Sequence, residues 1–224
     1  MTIKAFIFDL DGTLLNTIDD LRDSINVTMV RFGHSQIDTV QAKQFIGNGM
    51  RVLIQRCLPS DASEEHLQEC LAFFLNEYKQ RQMDKTAPYP GIKELLRALN
   101  RREIPIGVIS NKKNANTQVI IDHYFNDIDF TFVSGEVDGI APKPDPTLTK
   151  QCVAKMNLGF DEVLYVGDTK VDVATGHNAG LQAVGVTWGF RDRQELIDAG
   201  ADYLIDTPDQ LLKILENDAF FRCA

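Results

Sequence analysis

Cysteine is scarce in this chain. The four present, Cys57, Cys70, Cys152 and Cys223, form no C-x-x-C pair, and their spacing matches no zinc site. They read as buried or incidental thiols of a reducing cytoplasm. Long apolar runs are also missing. No stretch approaches the roughly 18 apolar residues of a membrane span, and the N-terminal apolar run stops at Asp9, short of a signal pattern. Basic runs are absent too: the formal net charge is -9 over 224 residues, with a pI near 4.9. That balance argues against nucleic acid or an anionic membrane as partner. The four histidines, His34, His66, His123 and His177, stand apart on predicted helices or at their ends. None has a partner at ligand spacing, so all four read as ordinary helix residues. There is no internal repeat and no low-complexity segment.

What remains is a chain with 44% hydrophobic content, enough for one sizeable core or a core plus a small accessory domain. Its most informative stretch comes first. Ala5 to Phe8 is short, apolar and followed at once by turn residues, as in a fully buried parallel strand. Asp9 and Asp11 follow two residues apart, so in an extended chain they project to the same side. Open α/β sheets carry their sites at the carboxyl ends of strands. Two such carboxylates repel each other unless they share a metal or one holds a proton. A hard cation such as Mg2+ suits carboxylate and phosphate oxygens alike. One Asp could then attack an electrophile while the other handles a proton. The plainer alternative is a strand ending in an acidic Asp-Gly turn.

Thr17-Ile18-Asp19-Asp20 reads as a capping box opening a helix that carries Leu21, Ile25, Met29 and Phe32 and closes at Gly33. Helices are expected over Thr39–Phe45, over Met50–Leu58, and from a Ser63 cap through Leu67, Leu71, Phe74 and Tyr78. Residues 16–84 thus hold only helices, a small bundle inserted after the first strand. Asp84 to Gly91, with two prolines, reads as the hinge back. Strands and helices then alternate. Strands are expected at Ile104–Ile109, Phe130–Val133, Val163–Val166, Gln182–Val186 and Tyr203–Ile205, with helices between them. A capping box at Thr207-Pro208-Asp209-Gln210 opens a terminal helix. Such alternation implies right-handed crossovers. The expected fold is α/β, a doubly wound parallel sheet formed by residues 1–15 and 85–224, with an inserted helical cap.

Three later stretches can supply a site. Ser110-Asn111-Lys112 ends the second long strand, where a hydroxyl and backbone N–H groups can form an oxyanion pocket, or simply a turn. Ala141-Pro142-Lys143-Pro144-Asp145-Pro146 stiffens a loop around one ammonium, though surface lysines also sit in such turns. In Gly167-Asp168-Thr169-Lys170-Val171-Asp172, Asp168 ends a strand. Asp172 lies one helical turn further on, so both can face one point, or either can be a cap.

The stretch Phe8-Asp9-Leu10-Asp11-Gly12-Thr13-Leu14, with Ser110, Lys143 and Gly167-Asp168 to Asp172 in that order, resembles the four signatures of the haloacid dehalogenase superfamily, which consists mostly of phosphatases. The resemblance implies that Asp9 is a nucleophile and Asp11 a general acid/base, with Lys143 neutralising the nucleophile and phosphate. It implies Mg2+ held by Asp9, Asp168 and the backbone carbonyl of Asp11, with Asp172 supporting the site or ligating. Thr13, Ser110 and Asn111 would lie on the substrate side, and Glu136 resembles an acidic position upstream of the lysine. Ile46-Gly47-Asn48-Gly49 and Gly185-Val186-Thr187-Trp188-Gly189-Phe190 resemble phosphoglycolate phosphatases, which makes Asn48 and Arg51 the candidate cap contacts, though Arg51 also reads as a solvated helix residue. The implied partner is a small phosphorylated metabolite, with monomer and homodimer both open. A phosphosugar mutase, a pyrophosphatase and a non-catalytic phosphate-binding regulator share the pattern. A haloacid dehalogenase or phosphonate hydrolase would lack the Asp that Asp11 supplies.

Overall fold

The structure, a computed structural model, describes residues 2–47 and 49–216. The chain forms two compact units, one taking its described residues from 2–15 and 88–216 and the other spanning Asn16–Ala87. Strand β1 (Ala5–Phe8) opens the first unit and β2 (Leu15–Asn16) leads out of it. The second unit contains α1 (Ile18–Arg31), α2 (Thr39–Phe45), α3 (Met50–Cys57) and α4 (Glu64–Arg81). The return passes through β3 (Ala87–Pro88), which pairs with β2 as a two-stranded sheet. Then follow α5 (Ile92–Arg101), β4 (Ile106–Lys113), α6 (Asn114–Tyr124), β5 (Phe132–Glu136) and α7 (Thr147–Met156). The chain continues with β6 (Val163–Gly167), α8 (Lys170–Ala179), β7 (Gln182–Val186), α9 (Arg193–Asp198), β8 (Tyr203–Ile205) and α10 (Gln210–Leu215).

The main sheet has the order β5-β4-β1-β6-β7-β8. Every pairing is parallel. From β1 the chain builds outward through β4 and β5 on one side, then through β6, β7 and β8 on the other. The reversal leaves a crevice at the carboxyl end of β1, flanked by β4 and β6, the place where doubly wound sheets bind ligands. β1 can occupy the centre because all four of its side chains are buried. Beneath it Ile7 packs with Ile109, Cys152, Val153 and Tyr165 in one apolar cluster.

The structure departs from the expected elements at places with local causes. β4 continues to Lys113 instead of ending at Ile109, because its register with β5 shifts between those residues. β5 starts at Phe132, and Phe130 lies outside it with its ring edge-on to Phe125. Thr17 is the N-cap of α1, but its side chain makes no cap hydrogen bond and its hydroxyl is buried without a partner. The expected box fails because Asp20 is used elsewhere. Its carboxylate accepts from the Lys85 N–H (3.0 and 3.1 Å), the Thr86 N–H (2.8 Å) and the Thr86 hydroxyl (2.7 Å). Those bonds hold Lys85 and Thr86 in the helical unit, so the return lies at 87/88 and not at 84/85. At α10, Gln210 accepts from the Asp206 and Thr207 N–H groups, but Asp209 is the N-cap, not Thr207.

Within the helical unit, α1 packs on α4 through Leu21, Ile25 and Met29 on one side and Leu67, Cys70, Phe74 and Tyr78 on the other. Ser63 caps α4 as expected, accepting from the His66 N–H at 3.2 Å. The histidines correct the sequence reading. His34 and His66, 32 positions apart, place their Nε2 atoms 2.8 Å from each other, and His177 Nε2 lies 2.9 Å from an Asp202 carboxylate oxygen. Packing, not spacing, brings these partners together. Among the described residues no helix is long and apolar enough to cross a membrane.

Asp20 is 2% exposed and satisfies donors of a segment 65 and 66 residues away. Asp20→Ala leaves those buried donors unpaired and is expected to cost about 2–3 kcal/mol. Urea denaturation should show this as a lower midpoint at unchanged slope. A midpoint equal to that of the parent would contradict the assignment.

Candidate active site

The site is built from strand ends. Asp9 follows β1 directly, and its N–H still donates to Val166 O of β6 at 2.9 Å. The chain then turns back on itself: the Leu14 and Leu15 N–H groups both donate to Leu10 O at 3.0 Å. Gly12 sits in this turn at φ +89°, where a Cβ would come within 2.3 Å of the Asp168 carboxylate. Gly189 approaches Asp168 from the other side, and a Cβ there would lie 2.3 Å from Asp168 Cβ. Only hydrogen fits at these two positions.

Asp168, at the end of β6, is fully buried. Its Oδ1 accepts from the Thr13 hydroxyl at 3.2 Å and its Oδ2 from the Phe190 N–H at 2.7 Å. Asp172, in the first turn of α8, uses Oδ2 in a capping box with the Thr169 N–H (3.0 Å) and hydroxyl (2.6 Å). Its Oδ1 accepts from Lys143 Nζ at 2.8 Å. The same ammonium donates to Asp9 Oδ1 at 2.6 Å. Lys143 is held from behind by Asn111, whose Oδ1 accepts from the Lys143 N–H at 2.8 Å and whose Nδ2 donates to the Lys143 carbonyl at 3.2 Å. The Asn111 amide therefore acts here as a clamp on the lysine backbone.

Carboxylate oxygens of Asp9, Asp168 and Asp172 lie within 4.8 Å of one another, and all three residues are buried. Burial raises the Asp9 carboxyl well above its ordinary range, with the Asp172 charge adding to the effect. Burial and then Asp172 likewise push Asp168 up to about 7. Burial alone would lower Lys143, but Asp172 and Asp9 outweigh it and hold its ammonium charged well above its ordinary range. One ammonium, paired with Asp9 and Asp172 but not with Asp168, serves this trio of carboxylates, which leaves surplus negative charge in a low-dielectric setting. Hard oxygen donors that converge with too few cations are what a divalent ion such as Mg2+ or Ca2+ requires, so the residues fit one.

The other expected residues are placed as follows. The Asp11 carboxylate stands outside the trio: its Oδ2 pairs with Lys112 Nζ at 3.2 Å, and its Oδ1 is buried with no hydrogen-bond partner. The buried Ser110 hydroxyl accepts from the Lys112 N–H at 3.1 Å. Glu136 pairs with Lys113 at 2.7 Å, away from the trio. Arg51 belongs to the helical unit, exposed and bidentate to Glu64 at 2.9 and 2.7 Å. Asn48 lies outside the described residues. Lys112 was missed by the sequence reading, although strand alternation places it on the side of Ser110. The Phe190 N–H could not be found that way, since a backbone donor leaves no mark in the sequence. Trp188 was visible only as part of a motif; its indole N–H donates to Thr13 O at 3.0 Å.

Comparison with known proteins gives the family. The family model described as haloacid dehalogenase-like hydrolase matches residues 6–186. The chain is 30% identical to a phosphoglycolate phosphatase of Mannheimia succiniciproducens, over 95% of this chain and 98% of that one. It is 31% identical to a phosphoglycolate phosphatase of Haemophilus influenzae at the same coverage. A crystal structure of a candidate phosphoglycolate phosphatase from Lactobacillus delbrueckii subsp. bulgaricus superposes with a TM-score of 0.91 at 30% identity, covering 96% of this chain and 99% of that one.

The two raised carboxyls give a testable pH dependence. Asp168 holds its proton up to about 7 in the folded chain, whereas its ordinary value is 3.8. Between those values the folded state binds more protons than the unfolded one, so stability falls as pH rises. Asp9 acts in the same direction. Measured against Asp168→Asn in chelator, the parent should therefore lose thermal stability from about pH 4 to about pH 7, and a divalent cation should reduce the loss at the upper end. A parent that gained stability relative to Asp168→Asn across that window would contradict the raised Asp168 carboxyl.

Proposed function

We propose, on the premise that the chain belongs to the haloacid dehalogenase-like hydrolase family, that it hydrolyses a small phosphomonoester through a phosphoaspartyl intermediate on Asp9, most specifically phosphoglycolate. It is a hydrolase of the phosphatase kind, as its family and relatives are. The observation that carries the finer reading is the Lys143 ammonium held between Asp9 and Asp172 at the β1 crevice. An acidic protein can attract a phosphate only through a local positive source, and here that source touches the proposed nucleophile.

In this reading an Asp9 carboxylate oxygen attacks phosphorus in line, and the bond from phosphorus to the ester oxygen breaks. Asp11 gives a proton to the departing oxygen. Water then gives Asp11 a proton and attacks phosphorus, which frees the Asp9 carboxylate and releases inorganic phosphate. The buried, unpartnered Asp11 Oδ1 is an atom suited to that exchange. Lys143 offsets the charge gathering on the phosphoryl oxygens, and Ser110 and backbone N–H groups beside it supply further donors. Asp9, Asp168 and the Asp11 carbonyl would hold Mg2+, which would screen carboxylate from phosphate so that two anions can approach. Asp172 keeps Lys143 in place, since both of its oxygens already accept hydrogen bonds. Thr13 and Gly12 fix Asp168. Asn111 reaches the substrate side through the lysine it clamps. Substrate choice we assign to the helical unit as a cap, through Asn48 and Arg51. Phosphoglycolate is favoured by the names of the relatives together with the segments Ile46–Gly49 and Gly185–Phe190.

The test is phosphate release with Mg2+ from phosphoglycolate, sugar phosphates and pyrophosphate, compared by kcat/KM. Phosphoglycolate should lead, and Asp9→Asn should lose at least roughly 10³-fold, as removal of a covalent nucleophile does elsewhere, with an unchanged melting curve or a more stable one. Preference for a sugar phosphate or pyrophosphate would overturn the substrate. Undiminished turnover by Asp9→Asn would overturn the mechanism.

A further inference from the structure

We infer that His34, His66 and Cys70 form a binding site for a borderline-soft divalent metal, Zn2+ above all, inside the helical unit and separate from the carboxylate cluster. The ligand atoms of the three residues lie within 4.8 Å of one another. His66 Nε2 is their common neighbour, 2.8 Å from His34 Nε2 and 3.7 Å from Cys70 Sγ. Around tetrahedral zinc, with Zn–N of about 2.0–2.1 Å and Zn–S of about 2.3 Å, two nitrogens stand about 3.3 Å apart and a nitrogen and sulfur about 3.6 Å apart. The His66–Cys70 pair is thus already at ligand spacing, and the histidine pair needs to open by about 0.5 Å.

The scaffold favours that small movement. His66 and Cys70 are one turn apart on α4 and share a face. His34 comes from outside α1: Gly33 turns the chain at φ +77°, and the His34 N–H is anchored on Met29 O at 2.8 Å. Its backbone is fixed while its half-buried ring can adjust. The Phe32 ring stands edge-on to His66 at 5.7 Å and limits its rotation. Behind it, His66 Nδ1 faces a Glu69 carboxylate oxygen at 3.9 Å. A carboxylate on that side favours the tautomer that leaves Nε2 free to ligate. Two imidazoles and a thiolate suit zinc and exclude Mg2+, which prefers all-oxygen surroundings such as the Asp9 cluster. Coordination would release the Cys70 thiol proton to solvent and shift the proton shared between the two rings onto an Nδ1. It would brace the segment after α1 against α4, with the fourth position open to water.

The competing description is an N–H···N bond between two rings beside a buried thiol, with no affinity for metal. The full chain, reduced, stripped with chelator and held in excess Mg2+ to occupy the carboxylates, would be titrated with Zn2+ by calorimetry and with Co2+ by absorbance. The site predicts one equivalent of Zn2+ and a Co2+ spectrum containing a thiolate charge-transfer band. Cys70→Ser should abolish that band, and His34→Gln should weaken Zn2+ binding by about tenfold or more, with His123→Gln as the unaffected control. His34 is half-buried and lies outside the helices, so His34→Gln remains informative if Cys70→Ser folds poorly. Absence of stoichiometric Zn2+ binding, a Co2+ spectrum without the thiolate band, or binding unchanged in His34→Gln would each overturn the inference.

Discussion

The interaction on which the rest depends is the Lys143 ammonium lodged between two buried carboxylates, Asp9 at 2.6 Å and Asp172 at 2.8 Å. Burying like charges together is unfavourable unless cations compensate them, and a buried ion pair seldom adds net stability. The arrangement makes little sense as a stabilising device. It makes sense as a site whose charges balance only when a divalent cation joins it. The sheet is what makes the convergence possible. β1 and β6 are adjacent and parallel, so Asp9 and Asp168 emerge side by side. The capping box of α8 then turns Asp172 inward, and the lysine reaches Asp9 from 134 residues away in sequence.

Much of this was legible beforehand, because the features concerned are local. Asp9 after a four-residue apolar strand, the Gly167-Asp168 turn and the proline-fenced Lys143 each carry their signal within a few residues. The helix over Thr39–Phe45 has the expected ends because apolar spacing and flanking residues agree there. The unreadable parts are those decided by tertiary contact. Thr17 and Asp20 have capping-box composition, but Asp20 finds better donors at Lys85 and Thr86. Asn111 looks like a residue facing ligand, yet its amide is occupied by the Lys143 backbone. The register of β4 on β5 shifts between Ile109 and Lys113, and no local pattern announces it. His34 and His66 illustrate the same limit, since spacing rules reveal only ligands that are close in sequence.

The two candidate metal sites differ in the way their surroundings would require. The carboxylate trio is buried, all oxygen and short of positive charge, a setting that suits a hard divalent ion. The histidine–cysteine group is partly open and nitrogen- and sulfur-rich, within a unit made only of helices. Each unit would thus have its own ion, chosen by ligand softness rather than by raw affinity. An acidic chain can serve an anionic substrate on this plan because one buried ammonium, Lys143, stands at the site itself.

The central claim is that the Asp9, Asp168 and Asp172 cluster is an incomplete electrostatic site that a divalent ion completes. Calorimetric titration of chelator-treated protein with Mg2+ tests it directly. The account predicts a single binding event that disappears in Asp168→Asn although the variant remains folded. Equal Mg2+ affinity in the parent and in Asp168→Asn would contradict it.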